Sequence, residues 1–208
     1  GNLKFAQSEK ENLNEQENLK KIIKKKKVWC ASSTHNNEEI FCGQVHMKLK
    51  KKINNLFTII IPRHIERSSK IKDDLNYLGL KVQMYEPKKK INPNTDVYIV
   101  NSYGMTKSFY NYCKIVFLGG SIIKHGGQNP LEATRYNCKV LHGPNVSNFN
   151  EIYKFLEMKK ISTKITNQKQ IISILQKFFL KQNKFKNFHK EIKSIGNQIL
   201  KKNYKKIF

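Results

Sequence analysis

The chain has 208 residues, enough for one large domain or two small ones with a hydrophobic core. Lysine and arginine number 40 against 15 acids, so the formal net charge is +25, and hydrophobic residues make up 38%. No apolar run reaches 18 residues, so the sequence predicts no membrane-spanning helix.

A charge of this size is typical of proteins that bind nucleic acid or an anionic membrane surface. The cations, however, are nearly all lysine, and the arginines are only Arg63, Arg67 and Arg135. Because base recognition and bidentate phosphate binding favour arginine, we interpret much of the charge as lysine on solvated helix faces. A basic nucleic-acid-binding α/β module without catalysis stays open as the alternative, and the lysine-rich helices at the carboxyl terminus could instead dock on an anionic membrane.

The cysteines are widely scattered and show no metal-ligand spacing: Cys30, Cys42, Cys113 and Cys138. Three of them lie in apolar, strand-like or helical contexts. We therefore predict reduced, mostly buried thiols in a cytoplasmic protein.

In chain order, apolar runs and helical periodicity predict alternating strands and helices. Residues 1–8 are interpreted as a linker, and because the first residue is Gly we expect the chain to be a piece of a longer protein. The predicted strands are 28–31, 57–61, 80–84, 97–100, 115–118 and 139–141, with one more short strand after residue 159. The predicted helices are 9–27, one ending near 52, 66–78, one ending at 112, 130–137, 148–157 and two lysine-rich helices in 159–208.

Strands that alternate with helices of this length favour a mostly parallel sheet with helices on both faces, a Rossmann-like α/β fold. Ligands of such sheets bind at the carboxyl ends of the strands, where the strand order reverses. A polar cluster follows each of five predicted strands: 32–37, 63–64, 101–105, 119–129 and 142–145. We therefore expect these clusters to meet at one edge of the sheet.

The cluster after the strand at 115–118 carries four of the ten glycines. Asn129 at the N-cap and Pro130 at the first helical position predict a helix start directly after it. Bare backbone ahead of a helix amino end suits an anionic group, most plausibly a phosphate, with Ser121, Lys124 and His125 adding donors and charge. By local rules alone, Glu132 would be a capping-box partner of the Asn129 amide rather than a ligand contact.

Four motifs in this order resemble the carboxyl-terminal half of the 3-deoxy-D-manno-octulosonic acid (Kdo) transferases of lipopolysaccharide synthesis. They are Ser-Thr-His-x-x-Glu-Glu at 33–39, Pro-Arg-His-x-Glu-Arg at 62–67, Gly-Gly-Ser followed by Gly-Gly-x-Asn-Pro-Leu-Glu at 119–132, and Gly-Pro-x-x-x-Asn-Phe at 143–149. The resemblance covers nearly the whole chain.

The resemblance implies the second lobe of a two-lobed GT-B glycosyltransferase, with residues 9–208 forming the domain that binds the donor CMP-Kdo. The lobe with the acceptor site, the catalytic base and the membrane anchor would precede residue 1. The whole enzyme would then be an inverting transferase that moves Kdo to a lipid A precursor at the cytoplasmic face of the bacterial inner membrane. The present chain alone would be inactive.

The resemblance also implies roles for individual residues. Glu132 would hold the ribose hydroxyls, which reverses the capping interpretation, and Arg63 would place positive charge at the nucleotide. The backbone around residues 103–105 would meet the cytosine edge. The implied donor-binding residues are Thr34, His35, Arg63, His64, Tyr103, Gly104, Met105, Gly120, Ser121, Gly126, Gly127, Asn129 and Glu132.

The sequence departs from the family at 101–105, where Asn-Ser-Tyr-Gly-Met replaces the usual Asp-Thr-x-Gly-Glu. Backbone contacts to the base could survive this change, but side-chain roles for Asn101 and Met105 do not carry over. No Asp-x-Asp or clustered carboxylate–histidine set is present, so we expect neither a metal nor another cofactor.

Overall fold

The computed structural model describes residues 19–180, 188 and 192. A seven-stranded parallel sheet lies at the centre, in the order β3-β4-β2-β1-β5-β6-β7. The strands are β1 Lys27–Thr34, β2 Leu56–Pro62, β3 Val82–Met84, β4 Val97–Ile99, β5 Ile115–Leu118, β6 Lys139–His142 and β7 Ser162–Lys164. The predicted parallel α/β fold is confirmed.

The α-helices of the described residues include α1 Glu38–Lys50, α2 Ser68–Tyr77, α3 Thr106–Tyr110, α4 Leu131–Arg135, α5 Asn150–Met158 and α6 Gln168–Leu180. Residues 19–23 are also helical. Short 3-10 turns, Ile65–Arg67 and Ser147–Phe149, precede α2 and α5. None of the described helices is both long and apolar enough to cross a bilayer.

Alternate residues of the strands pack into two cores, one on each face of the sheet. One core joins Trp29 and Phe117 of the strands to Leu49, Leu75 and Leu175 of α1, α2 and α6. The other is built on the alternate strand positions together with residues of α3, α4 and α5. Since both faces are covered by helices, the strands are continuous apolar runs, which is why the sequence predicted them well.

The predicted boundaries differ from the observed ones mainly at helix ends. The helix predicted for 130–137 is the five-residue α4, which begins at Leu131, one residue later than predicted. Of the helix predicted for 9–27, only 19–23 is seen as helix, and residues 9–18 lie outside the described residues. The linker at 1–8 also lies outside them, and so does the last lysine-rich helix apart from residues 188 and 192.

A polar network lies at the amino ends of the strands, opposite the edge that carries the motifs. Asp96 accepts hydrogen bonds from Lys50 Nζ (2.7 Å) and from the Lys81 amide (3.0 Å), and the Nε2 atom of His46 lies 3.7 Å from it. Burial by itself would raise the pKa of Asp96, but His46, Lys50 and the amide outweigh burial and hold that pKa well below its usual value. This network joins the end of α1 to the residues that precede β3 and β4.

Candidate functional site

The strand order reverses between β1 and β5, the two neighbours at the centre of the sheet. β1 leads on one side to β2, β4 and β3, and β5 leads on the other to β6 and β7. Five adjacent strands, β4-β2-β1-β5-β6, therefore send their following loops to one edge, as the sequence predicted. In open α/β sheets this reversal point is where ligands bind.

Three histidine rings gather at this point. The ring of His35 lies 4.0 Å from that of His125 and 5.7 Å from that of His64, between centroids. Two of these side chains, His35 and His64, were predicted site residues, and they follow β1 and β2. Arg63 is exposed beside them, and its amide donates to the Thr34 carbonyl oxygen at 2.9 Å.

The environment keeps His35 neutral near pH 7. Burial lowers the pKa of His35 to about 4, and the neighbouring positive charges of His125, His64, Arg63 and Arg67 add to the effect. The Nε2 atom of His35 lies 3.3 Å from Nε2 of Gln128. The cluster thus places the exposed Arg63 guanidinium beside a neutral, largely buried imidazole, which suits an anionic ligand.

The glycine-rich loop crosses this edge with backbone conformations that favour glycine. Gly120, Gly126 and Gly127 have φ angles of 63°, 95° and 78°. A Cβ on Gly120 would lie 3.3 Å from the His35 ring, and one on Gly126 would lie 2.4 Å from the amide of Asn148. The left-handed backbone therefore favours glycine at these predicted site residues, whether or not a ligand is bound.

The amides of the loop's first turn are already engaged inside the protein. The carboxylate of Glu38 accepts hydrogen bonds from Gly120 N (2.7 Å), Ser121 N (3.1 Å) and Ile122 N (3.0 Å). Sequence reasoning interpreted this turn as open to a phosphate. In the structure a protein carboxylate occupies these three amides, so an incoming anion would meet the later part of the loop.

Ser121 is buried, and its hydroxyl is used twice. It donates to the Leu118 carbonyl oxygen at 2.5 Å and accepts from the Gly143 amide at 2.8 Å. Ser121 thereby joins the loops after β5 and β6. A contact between Ser121 and the donor stays a prediction, since in this structure the side chain supports the loop from inside.

Glu132 is half exposed and does not cap its helix. Its Oε1 lies 3.9 Å from Nζ of Lys107, on the helix that follows the 101–105 segment. The N-cap position of α4 is Pro130, and the side chain of Asn129 just before it accepts a hydrogen bond from the Leu131 amide at 3.0 Å. The capping-box interpretation of Glu132 is thus wrong, and its carboxylate is accessible at the edge.

The 101–105 segment after β4 forms the far side of the site. Tyr103 is 69% exposed, Gly104 has a φ of 79°, and Met105 packs against the core beneath. The Oδ1 atom of Asn101 is buried with no hydrogen-bond partner in the described part of the chain. These residues lie at the predicted edge. The helix that follows them approaches α4 through Lys107, whose Nζ lies 3.9 Å from Oε1 of Glu132.

Thr34 ends β1 at the reversal point. It is fully buried, and its hydroxyl has no hydrogen-bond partner among residues 19–180, 188 and 192. Within that same part of the chain, no group of three or more His, Cys, Asp or Glu residues could hold a metal ion. All four cysteines are free and buried, which confirms the predicted burial of these thiols.

Sequence reasoning did not predict that the two acids at the start of α1, Glu38 and Glu39, contact the loops of the site. Glu39 is buried, and both of its oxygens accept from the guanidinium of Arg67, at 3.1 and 3.2 Å. Glu38 holds the glycine-rich loop. The motif at 33–39 included both acids, but nothing in the local pattern indicated partners 28 or more residues away.

No family model matches the chain. It is 34% identical over 158 residues to a 3-deoxy-D-manno-octulosonic acid transferase of Haemophilus influenzae, covering 75% of this chain and 37% of that protein. A transferase of the same name from Rickettsia bellii is 32% identical over 178 residues, covering 85% of this chain and 42% of that protein. The chain thus spans about two fifths of these relatives' length.

Among solved structures, the C-terminal CMP-Kdo binding domain of WaaA from Acinetobacter baumannii matches with a TM-score of 0.73 at 22% identity, over 86% of this chain and 91% of that one. The C-terminal domain of a group 1 glycosyl transferase (LpcC) from Francisella tularensis matches with a TM-score of 0.52 at 13% identity, over 80% of this chain and 84% of that one. Both likenesses concern the fold. Sequence and fold together show that the chain belongs to the Kdo transferase family, with the fold of the carboxyl-terminal lobe of a GT-B glycosyltransferase.

Proposed function

We propose that this chain is the donor-binding domain of an inverting glycosyltransferase that moves Kdo from CMP-Kdo to a lipid A precursor. The observation that carries the proposal is the convergence of the five motif-bearing loops at the reversal point between β1 and β5. The names of the relatives and of the matched domain support the choice of donor. The acceptor site and the catalytic base belong, on this proposal, to another lobe of the whole protein.

The chemistry of the edge fits this donor. Breaking the bond between CMP and the sugar builds negative charge on the leaving phosphate, and fixed positive charge stabilises it. Arg63 lies with the histidine cluster beside the glycine-rich loop, and on this proposal its guanidinium supplies that charge without a metal ion. Glu132, accessible at the edge, is the acceptor group for the ribose hydroxyls.

The acceptor hydroxyl would lose its proton to a carboxylate of the other lobe and attack the anomeric carbon from the side opposite CMP. Configuration at that carbon would invert. The present residues contribute binding, orientation and charge, so we expect the chain alone to bind the donor and to turn over none of it.

The proposal is tested by CMP binding to the chain as printed. At a CMP concentration of 100 Kd, binding adds about 2.7 kcal/mol of stability, which for a domain of this size raises Tm by about 5–10 °C. Glu132→Ala should remove most of that rise. Glu86→Ala is the matched control, because the Glu86 side chain is also about half exposed but lies in the 86–96 loop and pairs with Lys89 at 2.8 Å.

A cooperatively folded chain whose Tm does not respond to CMP would refute the proposal. Tight binding of single- or double-stranded nucleic acid with a steep salt dependence, and no preference for CMP, would favour the basic nucleic-acid-binding module instead. The metal-free expectation is checked in the same titration, because added EDTA should leave the CMP-dependent rise in Tm unchanged.

The excess charge is proposed to hold the whole enzyme against the anionic cytoplasmic face of the bacterial inner membrane. Exposed lysines precede several strands at the edge opposite the motifs: Lys24 and Lys25 before β1, Lys114 before β5, and Lys159 and Lys160 before β7. Each lysine near such a surface contributes about 1 kcal/mol. Sedimentation with phosphatidylglycerol vesicles but not with phosphatidylcholine vesicles would support this, and equal behaviour with both would refute it.

A further inference from the structure

Two adjacent acids begin helix α1, yet neither faces solvent. Glu38 is 0% exposed and Glu39 is 2% exposed. Carboxylates are almost never buried unless they are paired or accept several hydrogen bonds. Both conditions are met here, and the partners are the loops of the proposed donor site.

Glu38 joins the two strands at the reversal point. Its Oε2 accepts hydrogen bonds from the His35 amide (3.0 Å), after β1, and from the Gly120 amide (2.7 Å), after β5. Its Oε1 accepts from the next two amides of the same loop, Ser121 and Ile122. Three consecutive amides that point at one carboxylate form an anion-binding nest, and in this protein the anion is a side chain.

The loop after β5 and the end of β1 approach each other closely at Gly119. A Cβ on Gly119 would lie 2.3 Å from the Ser33 carbonyl oxygen, 2.6 Å from the Thr34 Cα and 2.7 Å from Oε2 of Glu38. The loop after β5 therefore presses directly on the end of β1 and on the carboxylate. Its course into residues 120–122 is fixed by Glu38.

Glu39 acts in the same way on the loop after β2. Its two oxygens accept hydrogen bonds from Nη1 and Nη2 of Arg67, and Nη2 also donates to Oδ1 of Asn36 at 3.2 Å. This bidentate pair fixes the 63–67 segment, which carries Arg63, against the start of α1. One helix start thus holds the loops that follow β1, β2 and β5.

We propose that Glu38 is a positioning residue for donor binding: without touching the donor, its carboxylate holds residues 120–122 so that the following segment, 126–129, receives the donor phosphate. Glu39 has the corresponding role for Arg63 through Arg67. The identity of the ligand in this inference rests on the proposed function. The hold of Glu38 on the loop, called the clamp below, rests only on the four amide hydrogen bonds. The ligand assignment and the clamp can therefore be refuted separately.

The test compares Glu38→Gln with the wild-type chain. The carboxamide has one acceptor oxygen and turns an NH2 group toward amide donors, so two of the four amide hydrogen bonds are lost. We expect CMP affinity of the folded variant to fall about tenfold or more, and hydrogen exchange at amides 120–122 to accelerate without CMP. Glu86→Gln is the control and should change neither.

Glu38→Asp keeps the charge but withdraws it by one methylene, so it should recover part of the affinity and of the exchange protection. If Glu38→Gln does not fold, Glu38→Asp carries the same two measurements. A variant that is less stable but binds CMP with unchanged affinity would overturn the positioning role, since a purely structural residue behaves that way.

Failure of the proposed function gives a different pattern. If the wild-type chain does not bind CMP, the donor assignment is wrong and the positioning role for that donor falls with it. Faster exchange at 120–122 in Glu38→Gln would then still support the clamp. Unchanged exchange would overturn the clamp whatever CMP does.

Discussion

Replacing Gly143 with alanine tests the packing of the two loops that close the site on the β5–β6 side. Gly143 follows β6, and its amide donates to the Ser121 hydroxyl at 2.8 Å. A Cβ at this position would lie 2.1 Å from the Ser121 carbonyl oxygen, 2.3 Å from the Ser121 carbonyl carbon and 2.5 Å from the Ile122 amide nitrogen. All three atoms are backbone, so no side-chain rotation relieves the contact.

The magnitude follows from this geometry. Overpacking a buried site costs about 1–3 kcal/mol, and rigid backbone neighbours place Gly143→Ala at the upper end, about 3 kcal/mol. For a domain of this size that free energy lowers Tm by about 6–12 °C. Because the clash falls on residues 121–122, CMP affinity should decrease as well.

Thermal unfolding followed by circular dichroism measures the loss, and Gly79→Ala is the matched control. Gly79 has a φ of 80°, but a Cβ there would meet no atom within 4 Å. That variant therefore reports the cost of the left-handed backbone alone, about 1–2 kcal/mol, without any effect on CMP. If Gly143→Ala melted no lower than Gly79→Ala, the two loops could not abut as described.

Three further predictions concern ionisable and reactive groups. Because hydrogen bonds hold the pKa of Asp96 below its usual value, this carboxylate stabilises the fold above about pH 4. In urea denaturation at pH 7, the free energy of unfolding of Asp96→Asn should be about 2 kcal/mol lower than that of the wild type. This difference should shrink as the pH falls from 5 to 3. A difference that stays constant over that range would contradict this. The pKa of His35 is lowered to about 4, so the unfolded chain binds more protons between pH 6.5 and 4, and the free energy of unfolding should decrease as the pH is lowered through that window. His35→Gln should flatten this part of the stability–pH curve, and an unchanged slope would refute the assignment. Burial raises the pKa of the Cys30, Cys42 and Cys138 thiols. The native chain should therefore not react with Ellman's reagent at pH 8, whereas all of its cysteines should react in guanidinium. Rapid labelling without denaturant would count against the buried placement.

The strand pattern could be predicted closely because it depends on local composition. The central strand β5 was predicted at 115–118 and lies at Ile115–Leu118, since a short, β-branched and aromatic run between glycine and polar residues has few alternatives. The parallel arrangement followed from helices between strands, and the meeting of the polar clusters at one edge followed from the parallel arrangement. None of these inferences needed a contact between distant residues.

Helix lengths and strand order were harder to predict from the sequence. The helix after the glycine-rich loop is only Leu131–Arg135, because Asn137, at a φ of 60°, turns the chain into β6. β4 lies between β3 and β2, although the sequence order would suggest the reverse. Strand order depends on which buried faces match after folding, and periodicity carries no such information.

The sequence by itself determined the alternation of strands and helices, the edge at which the motifs meet, and the need for glycine in the loop after β5. Only the tertiary structure decided what the motif residues do there: Glu38 fills the amide nest that resembled an open phosphate site, Ser121 faces inward, and Glu132 is accessible instead of capping its helix. The physical reason is distance along the chain. Secondary structure is encoded by neighbours within a few residues, whereas the partner of a buried carboxylate 82 residues away is fixed only when the sheet brings β1 and β5 side by side.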